Sequence, residues 1–328
     1  MDLTDSGSDL TLNDKVALVT GATGFIGTHL VRALKDQRYT VRVYSRRLYV
    51  EKNSLCVGPE NWFTGELDDE TRISESCRGV DAVFHLAGVA DVNRSESEDL
   101  CASNVDGVRN FAQACVRNGV GNFIFFSSVF AADPDHSAYA RSKMDAESYL
   151  SSLAASASTT KIAILRLANV YGIGMRGNIA SFVKSIRRGW MFSLPRLSGT
   201  FTMISVKDVC SAAISILEPN PQCGSPAVYT LTDGQEYTPN RLESAVYEAL
   251  DRRAPRVQLP LAVLLLGSVF AQIANTAGII KNGLGLNFFR RLTAKQSKLS
   301  SSFTQETFQI ADTFESEISG ILASLEPD

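Results

Sequence analysis

One stretch constrains this chain more than any other: Val16-Ala-Leu-Val-Thr-Gly-Ala-Thr-Gly-Phe-Ile-Gly-Thr-His-Leu30. Val16 to Thr20 is a short apolar, β-branched run, which reads as a buried parallel strand. It passes straight into Gly21-x-x-Gly24-x-x-Gly27, and apolar residues then recur at helical spacing as Ile26, Leu30, Val31 and Leu34. Strand, glycine turn and helix in that order bend the backbone tightly and leave room for a diphosphate. The free N–H groups and the positive dipole end of the helix face the phosphates. The stretch is therefore expected to hold a dinucleotide.

Strand and helix signals alternate after it. Val41 to Tyr44, Trp62 to Glu66, Ala82 to Leu86, Phe123 to Phe126 and Ile162 to Leu167 read as further strands. Asp69 to Arg78, Ser95 to Asn118 and Ser137 to Leu153 read as helices between them, and the Ser-rich 151–160 reads as a loop. Such alternation predicts an α/β fold, a doubly wound parallel sheet covered on both faces. After about Asn169 the pattern loosens. Ile179 to Trp190 and Val206 to Leu217 are helical, Ala227 to Leu231 is a late strand, and Thr238 caps a helix that opens on Pro239. The expected organisation is a disordered lead-in over 1–12 and a dinucleotide-binding domain over 13–172, to which 201–235 returns. A smaller, mostly helical substrate lobe takes 173–200 and 236–328.

Composition excludes several function classes. A net charge of −3 gives no electrostatic reason to expect nucleic acid or an anionic membrane surface. Cysteines 56, 77, 101, 115, 210 and 223 are scattered without a CxxC pair, and there are three histidines, so neither a metal site nor a disulfide framework is expected. A reducing cytosol is the expected location. The apolar stretch Leu259 to Ile280 is interrupted by Gln272, Asn275 and Thr276, and reads as a buried or interface helix rather than as a membrane contact.

Tyr139-Ala-Arg-Ser-Lys143 places a phenol and an ammonium four residues apart, neighbours on a helix. A tyrosine near pKa 10 exchanges protons poorly at neutral pH, and a nearby cation lowers that value. Ser127 and Ser128 follow the strand 123–126 at its carboxyl end, where a serine hydroxyl can bond the same substrate oxygen. Glycine turn, strand-end serine and Tyr-x-x-x-Lys together point to hydride chemistry on a ketone or secondary alcohol. His136 reads as a loop residue.

These residues carry a resemblance. Thr20-Gly-Ala-Thr-Gly-Phe-Ile-Gly27, His85-Leu-Ala-Gly88, Asn104-Val-x-Gly107-x-x-Asn110, Ser127-Ser128, Tyr139-x-x-x-Lys143 and Arg166-x-x-Asn169-Val-Tyr-Gly172 resemble the extended short-chain dehydrogenase/reductases, the NAD(P)-dependent epimerase/dehydratase family. The group it most resembles is the nucleotide-sugar 4-epimerases and 4-keto-sugar reductases. The resemblance implies a Rossmann sheet, with Tyr139 as acid/base, Lys143 as its partner and Ser128 as the catalytic serine. It implies a cofactor lined by Gly21, Thr23, Gly24, Phe25, Ile26, Gly27, Leu67, Leu86, Ala87, Gly88, Asn104, Ser127 and Ala168, with Glu66 near the adenine. It puts Val89, Asn169, Arg176 and Asn178 at the substrate, and it implies a homodimer.

Two features bear on specificity. NAD-specific sites place an acid at the end of the second strand. Here Ser45-Arg46-Arg47 stands there, and two guanidiniums suit a 2′-phosphate, so NADP(H) is expected, with NAD as the alternative. An exchanging NADPH favours net reduction of a nucleotide-linked 4-keto sugar. A UDP-sugar 4-epimerase with bound NAD, a reductase of a hydrophobic carbonyl compound and a nucleotide-sensing scaffold remain alternatives. The second feature is a pair of departures: Phe201-Thr202 stands where sugar-nucleotide members carry a diphosphate-gripping arginine, and the connection from Ser128 to Tyr139 is short.

Overall fold

The structure, a computed structural model, describes residues 15–51, 53–88, 102–156, 159–189, 193–218, 226–276, 308 and 310–325. Its strands in chain order are β1 (Val16–Thr20), β2 (Thr40–Ser45), β3 (Trp62–Thr64), β4 (Ala82–His85), β5 (Asn122–Ser128), β6 (Lys161–Leu167), β7 (Asn169–Tyr171), β8 (Met203–Ser205) and β9 (Ala227–Leu231). Seven of them form one parallel sheet in the order β3-β2-β1-β4-β5-β6-β9, while β7 and β8 pair only with each other. The described helices are α1 (Phe25–Asp36), α2 (Glu70–Cys77), α3 (Gly107–Asn118), α4 (Ala138–Ala155), α5 (Asn178–Arg187), α6 (Val206–Ser215), α7 (Pro239–Ala249), α8 (Leu261–Thr276) and α9 (Phe314–Ser324).

Side chains alternate across the sheet, and both faces are buried. On one face Val19, Val43, Phe84, Ile124 and Leu165 pack against Leu30, Val31 and Leu34 of α1 and Val209 and Ala213 of α6. On the other, Leu18, Val83, Phe123, Phe125 and Ile164 pack against Ile73, Phe111 and Leu150 of α2, α3 and α4. Burial on two faces is why these strands read as continuous apolar runs. A third core joins Tyr171 and Met203 to Val183, Val246, Phe314 and Ile318, and it holds α5, α7 and α9 against the β7–β8 pair.

The direction of winding reverses between β1 and β4. In open α/β sheets the crevice beyond the carboxyl ends of the strands at such a point is where ligands bind. The glycine turn after β1 and the exit of β4 border that crevice.

Three expectations need correction. Of the helix expected over 95–118, residues 95–101 lie outside the described residues, and 102–106 form a π turn before α3. The serines at 151 and 152 are helical, part of α4, and their hydroxyls donate to the carbonyls of Glu147 and Ser148 four residues back instead of drawing the backbone into a loop. The apolar helix α8 is not buried: Leu266 is 68% exposed and Phe270 73%. No helix among the described residues is long and apolar enough to cross a membrane.

Candidate active site

The glycine turn is shaped by close approach. Gly21 has φ +67°, and a Cβ there would lie 2.9 Å from the Ala87 nitrogen. A Cβ on Gly27 would collide with the Gly21 carbonyl and Ala22, so any larger residue would lift α1 off the turn. Gly24 is the N-cap of α1, and no side chain caps the first turn. Its N–H groups therefore face the crevice, with Thr23, Phe25 and Ile26 half-buried beside them. Across the turn, the Leu86 N–H donates to the Thr20 carbonyl at 3.3 Å and the Ala87 N–H to Thr20 Oγ1 at 3.0 Å. These bonds fix the exit of β4 at the same crevice. A Cβ on Gly88 would strike Asn104 Oδ1. This bare backbone turn fits a diphosphate, since the first turn of α1 has no side-chain cap and its N–H groups are left for an anion.

The Asn104-to-Asn110 motif has a mechanical reading. The Asn104 amide donates to Ser142 Oγ at 3.0 Å, tying the π turn to α4. Asn110 donates to the Leu67 carbonyl at 2.9 Å, and a Cβ on Gly107 would meet Leu67 Cδ1 at 2.9 Å. Leu67 is thereby held at the crevice wall. Glu66 is exposed, and its carbonyl accepts from the Tyr44 hydroxyl at 2.7 Å. At the end of β2 the Arg47 N–H donates to Ser45 Oγ at 3.0 Å, and Trp62 Nε1 donates to the Arg47 carbonyl at 3.0 Å. The backbone is fixed while the Arg46 and Arg47 side chains are exposed, and neither enters an ion pair among the described residues.

Tyr139 lies in the first turn of α4, which Ser137 caps by accepting the Ala140 N–H at 3.1 Å. Ser128 ends β5 beside the Tyr139 phenol, and its hydroxyl accepts the Phe130 N–H at 3.3 Å. Lys143 is buried one turn along, with Nζ 6.0 Å from the centre of the Tyr139 ring, and it donates to the Phe126 carbonyl at 2.9 Å. The sequence reading that a cation lowers the tyrosine pKa is not met in this arrangement. Burial pushes the phenol up, and the neighbouring Ser128 hydroxyl only opposes it. The Lys143 charge points at the Phe126 carbonyl rather than at the phenolic oxygen. Burial pushes Lys143 itself down to about 8, against the pull of Glu147.

That shift has a stability signature. Between about pH 8 and about pH 10 the unfolded chain holds the Lys143 proton and the folded chain does not, so this lysine's penalty on folding fades as pH rises. Lys143→Met removes the effect. Its stability relative to the parent should fall by roughly 2 kcal/mol on going from neutral pH to about pH 9.5, measured by urea denaturation without cofactor. A pH-independent difference between the two would refute the shift.

Ser127 is placed differently from expectation. Adjacent residues of a strand point to opposite faces. Ser127 therefore faces α4, donating to Glu147 Oε1, and does not face the cofactor crevice. Arg166, its neighbour on β6, grips the same carboxylate through Nε at 3.0 Å and Nη2 at 2.6 Å. Glu147 follows Lys143 by one helical turn, so a buried ion pair underlies the lysine. Sequence reading missed Glu147; the signal was its position one turn beyond Lys143, facing an arginine on an inner strand. It also passed over His85, fully buried, with Nδ1 3.1 Å from Thr20 Oγ1. Burial and the Lys143 charge hold that imidazole down at about 3, so it stays neutral.

On the substrate side Val89 lies outside the described residues. The Asn169 amide donates to the Thr202 carbonyl at 3.1 Å, so Asn169 braces the β7–β8 pair. Ala168 is buried, and its N–H donates to the Leu231 carbonyl at 3.0 Å. Arg176 is exposed beside Gly177, and Asn178 opens α5. Arg187 donates to the Leu325 carbonyl at 2.6 Å, a lobe-holding contact. Phe201 pairs with the Tyr237 backbone at 3.0 and 2.9 Å.

A doubly wound sheet, a phosphate-sized glycine cradle and a Ser-Tyr-Lys set at its mouth define a dinucleotide-dependent enzyme of the extended short-chain dehydrogenase kind. The chain belongs to the NAD dependent epimerase/dehydratase family, whose model matches residues 17–231. It is 27% identical over 286 residues to a UDP-glucose 4-epimerase of Vibrio cholerae, covering 79% of this chain and 83% of that one. It is 28% identical over 270 residues to an N-acetyl-alpha-D-glucosaminyl-diphospho-ditrans,octacis-undecaprenol 4-epimerase of Escherichia coli O157:H7, covering 78% of each. The solved structure of MoeE5 in complex with UDP-glucose and NAD shares the fold, with TM-score 0.68, 20% identity and coverage of 94% of this chain and 97% of that one.

Proposed function

We propose that the chain is an NADP(H)-dependent oxidoreductase acting at the 4-position of a sugar carried on a diphosphate, a nucleotide-linked 4-keto sugar in the first instance. The observation that carries the reading is the convergence of Ser128, at the end of β5, with the Tyr139 phenol and the buried Lys143 one turn along α4. Gly21, Gly24, Gly27 and the open first turn of α1 would hold the diphosphate of a nicotinamide dinucleotide, and Leu67, Leu86, Ala87 and Gly88 would line it; such a cofactor would supply the hydride. Tyr139 holds the proton at its phenolic oxygen and passes it to the substrate oxygen, while Ser128 hydrogen-bonds that same oxygen. Lys143, whose charge the cofactor's ribose hydroxyls can satisfy, offsets the negative charge developing on Tyr139. Arg176 and Asn178, at the open end of α5, are the candidates for the sugar side. Sugars on a diphosphate are common to the names of both curated relatives.

The cofactor assignment rests on Arg46 and Arg47. A charge-assisted contact to a 2′-phosphate contributes about 1.5–3 kcal/mol. The double variant Arg46→Ala with Arg47→Ala should therefore weaken NADPH binding by roughly 10- to 100-fold and leave NADH binding within about twofold, followed by quenching of tryptophan fluorescence. NADH binding tighter than NADPH in the parent protein would favour the second reading. That reading is a 4-epimerase with retained NAD, supported by the two epimerase relatives and by the NAD held in the MoeE5 structure.

A further inference from the structure

The helix α8 presents its apolar residues outward. Leu261, Val263, Leu265, Leu266 and Phe270 are 48%, 48%, 39%, 68% and 73% exposed, and Val257 just before them is 61% exposed. The most buried residue is polar: Ser268 is 5% exposed, and its hydroxyl donates to the Leu264 carbonyl at 2.9 Å, while Leu264 and Val269 are half-buried. A water-facing helix in a globular protein has the reverse arrangement. Contiguous apolar surface of this kind marks an interaction site.

Charge indicates what covers it. No aspartate or glutamate occurs between Arg252 and Gln305, although the chain has 35 acids in 328 residues. Arg252, Arg253 and Arg256, all exposed, stand at the root of α8, and five more lysines and arginines follow between 277 and 305. From Asp251 to the end of α8 the described residues thus carry three exposed arginines against one acid, within a chain of net charge −3. A second copy would set arginines against arginines and gain little charge complementarity. An anionic bilayer gains both apolar burial and attraction to its headgroups. At 16 residues α8 spans about 24 Å, short of the roughly 30 Å hydrocarbon core, and Gln272, Asn275 and Thr276 lie in its last turns.

We propose that α8 and its basic root form a docking surface for an anionic lipid bilayer, the helix lying in the interface rather than crossing it. The surface is independent of the reaction proposed above.

The test is flotation of the full-length protein with vesicles of phosphatidylcholine alone and of equal phosphatidylcholine and phosphatidylglycerol. The anionic vesicles should bind it roughly tenfold more tightly, and raised salt should remove most of that difference. Leu266→Ser with Phe270→Ser should weaken vesicle binding at least roughly tenfold. Its melting temperature and cofactor titration should match the parent, since both side chains are more than two-thirds exposed. No binding of the parent protein to anionic vesicles overturns the proposal, whatever the variants do. So does unchanged binding by the double serine variant. A parent dimer that the serine variant splits, without vesicle binding, makes a second copy the occupant and also overturns it.

Discussion

Tyr139→Phe should bind cofactor as the parent does and lose about 10²- to 10⁴-fold in kcat, the range expected when a positioned proton donor is removed. The phenyl ring keeps the packing around the first turn of α4, so the fold and the cofactor cradle are preserved. What disappears is the phenolic oxygen beside Ser128. The partner variant Ser128→Ala should lose less, because the tyrosine still carries the proton while one hydrogen bond to the substrate oxygen is missing. Burial holds the phenol pKa up in the cofactor-free protein, so activity should depend on cofactor charge and Lys143 to make the proton available. If Tyr139→Phe turned over at more than about a tenth of the parent rate, another group would be the acid.

The second large effect lies beneath the site. Glu147→Ala should cost about 2–4 kcal/mol in chemical denaturation. Removing one member of a buried ion pair leaves the other without compensation, here the Arg166 guanidinium bonded to both carboxylate oxygens, together with the Ser127 hydroxyl. Arg166 is 29% exposed against 6% for Glu147, so water relieves part of the cost, and the figure sits below that for a fully buried pair. Glu147→Ala with Arg166→Leu should recover part of the loss, as replacing the whole pair removes the orphaned charge. The carboxylate also holds the Lys143 pKa up. Its loss should move the fall of activity at high pH to lower pH, a shift that a merely structural role would not give. A cost under about 1 kcal/mol with an unchanged pH profile would show the pair to be idle.

Much of the fold was legible because it depends on local signals. Apolar runs two faces deep, glycines forced by close approach, and a Thr-Pro helix start each specify one geometry. Strand–helix alternation specifies a parallel sheet covered on both faces, while the order of its strands comes from the structure. Less legible were features set by distant partners. The β7–β8 pair joins residues more than thirty apart in sequence, with short strands that no periodicity distinguishes. The π turn at 102–106 exists to bring Asn104 to Ser142, a contact invisible in a helical pattern. Of the two adjacent serines, Ser127 was assigned to the cofactor, although strand parity turns it to Glu147. The tyrosine pKa argument counted a charge by sequence spacing and omitted burial, which dominates. For α8, apolar composition left burial and an interface both open, and the exposed Leu266 and Phe270 rule out the first.

The measurement that bears most directly on the account is the absorbance of NADPH when the full-length protein meets a UDP-linked 4-keto hexose. Net hydride transfer to that ketone predicts one NADPH oxidised for each sugar alcohol formed, with the signal abolished in Tyr139→Phe. A flat absorbance while a UDP-hexose inverts at its 4-position would contradict net reduction and make the enzyme an epimerase.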